Sequence, residues 1–134
     1  MTFRPFPTGN IALRRTVLAA SAFLCISLPA AAQTDELVGH WTVDLRLRLT
    51  DAAYSKPMVL AIATDGAVTG EFYDHAIEAG SARTLKGRTC FAFHTRDLTG
   101  PYQTSGCLVG KHIEGLSWSE GRKFVLPWTA TRDK

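Results

Sequence analysis

Histidines, serines and acidic residues are the side chains of this chain that could perform acid–base or nucleophilic chemistry. Asp74 and His75 are adjacent, and His94 lies three residues before Asp97, so each pair could share a proton. Neighbours of this kind arise by chance in any domain, and no serine occupies the Gly-x-Ser-x-Gly setting of a nucleophile elbow. We therefore expect no catalytic residues and interpret the domain as a non-enzyme.

The spacing of the other polar residues does not indicate a metal or cofactor site. Zinc ligands typically come in pairs a few residues apart. The four histidines lack such spacing with one another or with cysteine: His40, His75, His94 and His112. Three glutamates fall on outward or turn positions, without the pairing that glycoside cleavage needs: Glu71, Glu114 and Glu120. We expect no cofactor and no metal.

One group of hydroxyl-bearing and aromatic residues could instead form a binding site for a small molecule. Its members recur at alternate positions in the second half of the chain: Phe93, Thr95, Tyr102, Thr104, Ser117 and Trp128. Apolar walls with a few directed hydrogen-bonding groups are typical of ligand pockets. These residues come together only if their segments are neighbouring strands with one common inner face.

Two-residue alternation of apolar and polar residues, the signature of half-buried strands, runs through the chain after residue 32. The clearest segment extends from Leu37 to Thr50 and predicts one long strand. Asp65-Gly66 predicts a hairpin between strands at 58–64 and 67–73. Further strands are predicted at 88–95, 102–109, 112–119 and 123–131, with a weaker one near 83–86. Eight short-looped strands predict an all-β, eight-stranded antiparallel up-and-down barrel, because closure removes exposed edges.

Strand registers place the candidate residues on the inner face of this barrel. If the loop after Arg96 is centred between Leu98 and Thr99, Cys90 faces Cys107 and Phe91 faces Gly106. A turn at Gly110-Lys111 then sets Gly106 against Gly115, and a hairpin centred on Glu120-Gly121 adds Trp128 to the same face. A slip of one residue would destroy this agreement.

Cys90 and Cys107 would lie on the outer face as a cross-strand pair. Two cysteines after residue 32 of an exported chain favour a disulfide over two buried free thiols.

The inner face leaves two interpretations open. Gly106 and Gly115 could leave a cavity for one small ligand, or they could make room for Phe91 and Leu126 across the strands and give a solid core.

Two apolar sets hint at contacts with a partner. With a two-residue turn at Asp65-Gly66, the hairpin must expose one of its apolar faces, which indicates a homodimer contact or a shifted register. Trp118 is predicted to face outward with Leu116 and Val125, as a possible surface for a second subunit or another exported protein.

The first 32 residues have the order of a cleavable signal peptide: a basic start ending at Arg14-Arg15, an apolar run from Val17 to Leu28, and small residues up to Ala32. The apolar run is too short to span a bilayer. We expect cleavage after Ala32, export to the periplasm or medium, and a single domain over 33–134. The ordinary secretory route is favoured over the twin-arginine route.

Cleavage would also remove the excess of positive charge. The chain has 15 basic and 12 acidic residues, and its first 32 residues hold three arginines and no acid. The predicted mature chain is therefore formally neutral, which argues against nucleic acid as a partner. It also has no predicted membrane span.

Three segments carry a resemblance to known proteins. Gly39-His40-Trp41 resembles the Gly-x-Trp signature of the calycins, the lipocalin and avidin-like barrels, and the segment from Asp65 to Tyr73 is similar to the second hairpin of avidin-type proteins. The tail from Ile113 to Ala130 resembles a group of bacterial exported proteins of unknown function. The resemblance implies an eight-stranded barrel that binds a small apolar molecule at its open end, with Trp41 at the closed end. The residues with which avidins hold biotin have no match here, so biotin is not predicted.

Two functions follow as hypotheses. The first is an exported barrel that binds a small apolar or amphipathic molecule in its interior. The alternative is a protein-interaction module such as a periplasmic protease inhibitor, although only residues 33–36 precede the first strand to enter a protease cleft.

Overall fold

The computed structural model describes residues 33–134; the predicted signal peptide lies outside them. A short 3₁₀ helix, Asp35–Leu37, precedes the sheet. The strands are β1 (Gly39–Asp44), β2 (Ser55–Ile62), β3 (Ala67–Phe72), β4 (His75–Ala76), β5 (Glu78–Leu85), β6 (Arg88–Asp97), β7 (Gly100–Val109), β8 (His112–Ser119) and β9 (Phe124–Arg132).

The eight longer strands form a closed antiparallel barrel, which confirms the predicted fold class. Each pairs with its neighbour along the chain, β3 pairs directly with β5, and β1 pairs with both β2 and β9. The two-residue β4 adds only a short extension to β3. This strand number and closure are compatible with a calycin-like fold.

The registers predicted for β6, β7 and β8 are confirmed. Cys90 lies opposite Cys107, and Phe91 opposite Gly106. Gly106 in turn lies opposite Gly115. Cys90 and Cys107 form the predicted disulfide, which links adjacent strands.

The long first strand was a wrong prediction, because β1 ends at Asp44. The Arg46 amide donates to the Asp44 carboxylate at 3.1 Å, and the Asp51 amide donates to the Arg48 carbonyl at 3.0 Å. These local bonds compete with strand pairing and turn the chain, as short acidic side chains commonly do. Leu47 and Leu49 consequently lie in a loop and are 75% and 87% exposed.

The β2–β3 hairpin has the shifted register: the Ala63 amide donates to the Ala67 carbonyl at 2.9 Å, so three residues, 64–66, form the loop instead of two. Ala63 and Gly66 close a turn through a 2.8 Å bond, and Gly66 adopts a φ of 87°. Turns of this type need a left-handed residue at their end, which glycine supplies at little cost. Met58 then lies opposite Phe72 and Leu60 opposite Gly70, and Met58, Leu60 and Phe72 are all buried on one inner face. Of the two alternatives, the shifted register is the one that the structure has.

Two further differences concern hairpin lengths. The β8–β9 loop has four residues, 120–123, and Gly115 therefore faces Trp128. This register differs by two residues from the prediction. Because the shift is an even number of residues, the same residues of β9 still face inward. Strand β5 is longer than the weak segment predicted near 83–86. Its register shifts between Glu78 and Ser81, and such a bulge interrupts the two-residue alternation.

One end of the barrel is closed by the 3₁₀ helix and Trp41. The Trp41 indole is 1% exposed and donates to the Leu37 carbonyl at 2.9 Å. The Arg132 guanidinium lies 4.3 Å from the centre of the indole ring and donates to the carbonyls of Val38 and Glu36. The expected place of Trp41 at the closed end is therefore correct.

The outer wall carries the predicted apolar group on β8 and β9. Leu116 and Val125 are exposed, whereas Trp118 is half-buried opposite Val125.

Among the described residues, no helix is long and apolar enough to cross a membrane.

Candidate functional site

A cavity of about 370 Å³ lies at the end of the barrel opposite Trp41. The loops that connect β1 to β2, β3 to β4, β6 to β7 and β8 to β9 all meet at this end, as the up-and-down order requires. The cavity is open to solvent between these loops. Its position makes it the candidate functional site.

The cavity walls are mainly apolar toward the Trp41 end of the barrel, which is its lower part, and the rim is mostly polar, although the exposed Leu47 also lines it. Carbon-rich side chains from three parts of the fold form the lower wall: Leu45, Phe72, Phe124 and Leu126. Phe72 is buried and lies 5.5 Å, centre to centre, from the Trp128 ring. Leu45 directly follows β1 and continues the inward alternation of Trp41 and Val43, which are also buried.

Three of the six predicted site residues line the cavity and three lie beneath it. Thr95, Tyr102 and Ser117 face the cavity. Phe93, Thr104 and Trp128 are buried below, where Phe93 stacks on Phe91 at 5.5 Å. The prediction therefore identified one continuous column of inward residues, of which only the upper part lines the opening.

A small hydrogen-bond network separates the cavity from the packed part of the barrel. The Ser117 hydroxyl bonds to the Thr104 hydroxyl at 2.9 Å and accepts the Trp128 indole N–H at 3.0 Å. No buried side-chain nitrogen or oxygen between residues 33 and 134 lacks a hydrogen-bond partner. The network thus satisfies its polar groups within the protein and forms a fixed floor.

The two inward glycines do not create the cavity, because aromatic rings fill the space above them. A methyl group on Gly115 would lie 2.1 Å from the Trp128 ring, and one on Gly106 would lie 2.8 Å from Phe91. The solid-core interpretation is therefore right for the lower barrel, with Trp128 rather than Leu126 as the residue over Gly115. The cavity occupies the upper part.

On one side of the rim, Asp44 and Arg46 fix the loop that follows β1. The Arg46 Nε donates to both Asp44 carboxylate oxygens at 2.9 and 3.0 Å, and its Nη1 donates to the Leu49 carbonyl at 3.1 Å. These hydrogen bonds hold the pKa of Asp44 below its usual value and raise that of Arg46. The loop is thereby fixed beside the opening.

A tyrosine pair joins the β1–β2 loop to the β3–β4 turn. The hydroxyls of Tyr54 and Tyr73 are hydrogen-bonded, and their rings meet edge to face with centres 6.3 Å apart. The Tyr54 hydrogen bond raises the pKa of Tyr73. Lys56 lies 5.0 Å from the centre of the Tyr73 ring and pairs with Asp74 at 2.8 Å.

Asp97 and Arg122 complete the rim on the opposite side. Asp97 accepts the Thr99 amide at 2.7 Å and the Thr99 hydroxyl at 2.6 Å. Partial burial raises the pKa of Asp97, but the hydrogen bonds from Thr99 outweigh this effect and keep it below its usual value. The Arg122 guanidinium lies 4.6 Å from the centre of the Phe124 ring.

Sequence reasoning missed the rim residues because they lie in loops, where strand periodicity carries no information. Tyr54, Tyr73 and Arg122 all line the opening. The available signal was an aromatic or basic residue in three of the four loops that an up-and-down barrel must bring to the same end.

The arrangement suits non-covalent binding. Between residues 33 and 134, no three histidine, cysteine or acidic side chains are close enough to hold a metal ion.

No protein-family model, curated protein or solved structure matches this chain. The closed barrel of eight longer strands is compatible with a calycin-like fold.

Proposed function

We propose that this protein is an exported barrel that binds one small amphipathic molecule at its open end. The observation that carries the proposal is the cavity of about 370 Å³ with an apolar lower wall and a polar rim. Ligand pockets in proteins span about 300–1,000 Å³ and combine apolar walls with a few polar groups. The cavity lies at the small end of this range.

The size of the cavity limits the ligand. At about 30 Å³ for a water-sized group, roughly 12 non-hydrogen atoms would fill it. The apolar part of such a molecule would contact Phe72, Phe124 and Leu126, and its polar part would lie among the rim side chains. Thr95 and Ser117 would offer hydroxyls between these two regions.

Export is part of the proposal. The Cys90–Cys107 disulfide supports it, because disulfides persist in oxidising compartments. We propose that residues 1–32 are removed after Ala32 and that the domain 33–134 acts in the periplasm or outside the cell.

Native mass spectrometry tests the binding function. The protein should be expressed as the full chain and purified gently from its own periplasm or culture fluid. We expect a reproducible extra mass that disappears on denaturation. An apo mass in every preparation, with retention of an exported partner protein instead, would favour the protein-interaction alternative and overturn the proposal.

A matched pair of variants links the extra mass to the cavity. Thr95→Phe would extend a ring into the opening from β6, whereas Ala92→Phe would place the same ring on the outer face of that strand. We expect Thr95→Phe to lose the extra mass and Ala92→Phe to keep it, both variants showing wild-type far-ultraviolet circular dichroism. Retention by both folded variants would place the ligand elsewhere.

A further inference from the structure

Among residues 33–134, four charged side chains line the cavity, and three of them already interact with neighbours. Arg46 uses its Nε and Nη1 donors on Asp44 and Leu49. Asp51 accepts the Arg48 amide at 3.0 Å and pairs with the Arg48 guanidinium at 3.4 Å. These groups therefore offer little to a ligand.

The Asp97 carboxylate likewise already accepts hydrogen bonds from the protein. Its carboxylate accepts both the amide and the hydroxyl of Thr99, and the Tyr102 hydroxyl lies 3.0 Å from that same Thr99 hydroxyl. A cationic ligand at Asp97 would have to share a carboxylate that the β6–β7 loop already uses. Asp97 thus serves to shape its own loop.

Arg122 is the cavity-lining cation without a carboxylate partner among residues 33–134. Its guanidinium lies over the Phe124 ring, and a guanidinium stacked on a ring still has N–H donors free at its edges. The Arg122 amide donates to the Ser119 hydroxyl at 3.3 Å, which helps to hold the turn in place.

The tyrosine pair supplies a second unused donor. Two hydroxyls that share one hydrogen bond use only one of their two protons, so one O–H of Tyr54 or Tyr73 is free to donate. Tyr54, Tyr73 and Arg122 line the same cavity, so one ligand there could meet both kinds of donor. The hydrogen bond from Tyr54 raises the pKa of Tyr73, and the charge of Arg122 lowers it.

We propose that the cavity takes an amphiphile with an anionic head group, which Arg122 binds at the rim while the apolar tail lies against Phe72 and Leu126. This inference rests on the proposed function and specifies its ligand class. The shared chemistry is a carboxylate or phosphate head group at the rim on an alkyl tail of about ten carbons. Such a tail fits within a cavity that holds roughly 12 non-hydrogen atoms. Bidentate recognition by a guanidinium suits both head groups.

Four ligands with one tail and different heads test the inference. Decanoate, decyl phosphate, 1-decanol and decyltrimethylammonium should be titrated below their micellar concentrations into the delipidated, disulfide-intact protein by isothermal calorimetry. We expect at least one anion to bind about tenfold more tightly than the alcohol, the factor that 1.4 kcal/mol provides. We expect the cation to bind most weakly.

Charge variants on the rim assign the effect to Arg122. Arg122→Gln should weaken binding of the preferred anion about fivefold to tenfold more than it weakens binding of 1-decanol. Lys123→Gln removes a neighbouring exposed charge that does not line the cavity and should leave both affinities unchanged. Asp97→Asn should strengthen binding of the anion, because it removes a like charge from the rim.

The outcomes separate the two proposals. Equal affinities for all four ligands, or tightest binding of the cation, would overturn the head-group inference and leave the binding function standing. An anion preference that Arg122→Gln does not reduce would also overturn it. Binding of none of the four, together with an apo mass of the native protein, would contradict both.

Discussion

Two glycines determine how the aromatic core of the barrel packs. Gly106 and Gly115 lie opposite each other on β7 and β8, and the Phe91 and Trp128 rings occupy the space that a side chain would need. Glycines on a strand commonly serve this purpose, since a ring on the neighbouring strand covers them. The Gly106–Phe91 and Gly115–Trp128 pairs therefore contribute to the packing of the core, and the cavity is formed by other residues.

Adding one methyl group at these glycines should destabilise the fold in a defined order. Gly115→Ala would collide with the rigid indole at 2.1 Å, whereas Gly106→Ala would meet the end of the Phe91 ring at 2.8 Å. We expect a loss of about 1–3 kcal/mol in the free energy of unfolding for Gly115→Ala, and a smaller loss for Gly106→Ala. Urea denaturation measures both, with the exposed Ser105→Ala as control. The reverse order would contradict the packing described for Trp128.

Ser117 should matter to stability as well as to the cavity. Ser117→Ala removes the acceptor of the Trp128 N–H and the partner of Thr104. Buried groups left without partners cost about 1–3 kcal/mol, so we expect a loss of that size in urea denaturation. Exposed Ser81→Ala should change stability little. A loss below about 0.5 kcal/mol would mean that water replaces the hydroxyl.

At the scale of elements, loop length sets which residues face one another. The four-residue loop 120–123 moves Trp128, rather than Leu126, over Gly115. The three-residue β2–β3 loop turns Met58 and Leu60 inward. Arg122 of the 120–123 loop also lies at the rim, so the turn that fixes the β8–β9 register also places a charged group beside the cavity.

The disulfide is the covalent link between two such elements. Cys90 and Cys107 are 17 residues apart, and closing a loop of that size stabilises a fold by about 3 kcal/mol. For a domain of this length we expect the Cys90→Ser/Cys107→Ser variant to melt about 10–20 °C lower than wild type. The wild-type melting temperature should fall on reduction, and that of the variant should not respond to reductant. Equal melting temperatures for the oxidised wild type and the variant would contradict a stabilising role.

The whole molecule has two unlike ends. At one end, Trp41, Leu37 and the Arg132 guanidinium fill the barrel. At the other, tyrosines and charged residues surround an opening. A barrel of eight strands is wide enough either to be filled by side chains or to hold one small ligand, and this one is filled in its lower part and open in its upper part.

The carboxylates at the open end should make the thermal stability of the protein depend on pH in the acidic range. The pKa values of Asp44 and Asp97 are both lowered in the folded protein. Their stabilising contribution is therefore fully present above the pKa of the unfolded chain, about 3.9, and is lost as the pH falls through the folded values. We expect a constant melting temperature from neutral pH to about pH 5 and a fall below about pH 4.

The double variant Asp44→Asn/Asp97→Asn is the control for this pH dependence. It should start less stable at pH 7 and lose less stability on acidification than wild type. Parallel acid curves for the two proteins, followed by circular dichroism, would show that other carboxylates dominate.

Much of this architecture is determined by local sequence. Alternation fixes which residues of β6, β7 and β8 face inward, because a slip of one residue would exchange the core and solvent faces of a whole strand. The pairing of Cys90 with Cys107 follows from the same short-range pattern, whereas the place of Trp41 at the closed end was expected from the resemblance of the Gly-x-Trp segment to the calycins. The number of strands and their short connections predict closure.

Only the tertiary structure decided where the barrel is hollow. Alternation gives the direction of a side chain and not the volume around it, so Phe93 and Thr95 look equivalent in the sequence although one is packed and the other lines the cavity. The end of β1 at Asp44 depends on hydrogen bonds to Arg46 that compete with strand pairing. The rim assembles from four loops that are distant in the chain. Their meeting at one end, with Arg122 left without a carboxylate partner among the described residues, is a property of the closed barrel.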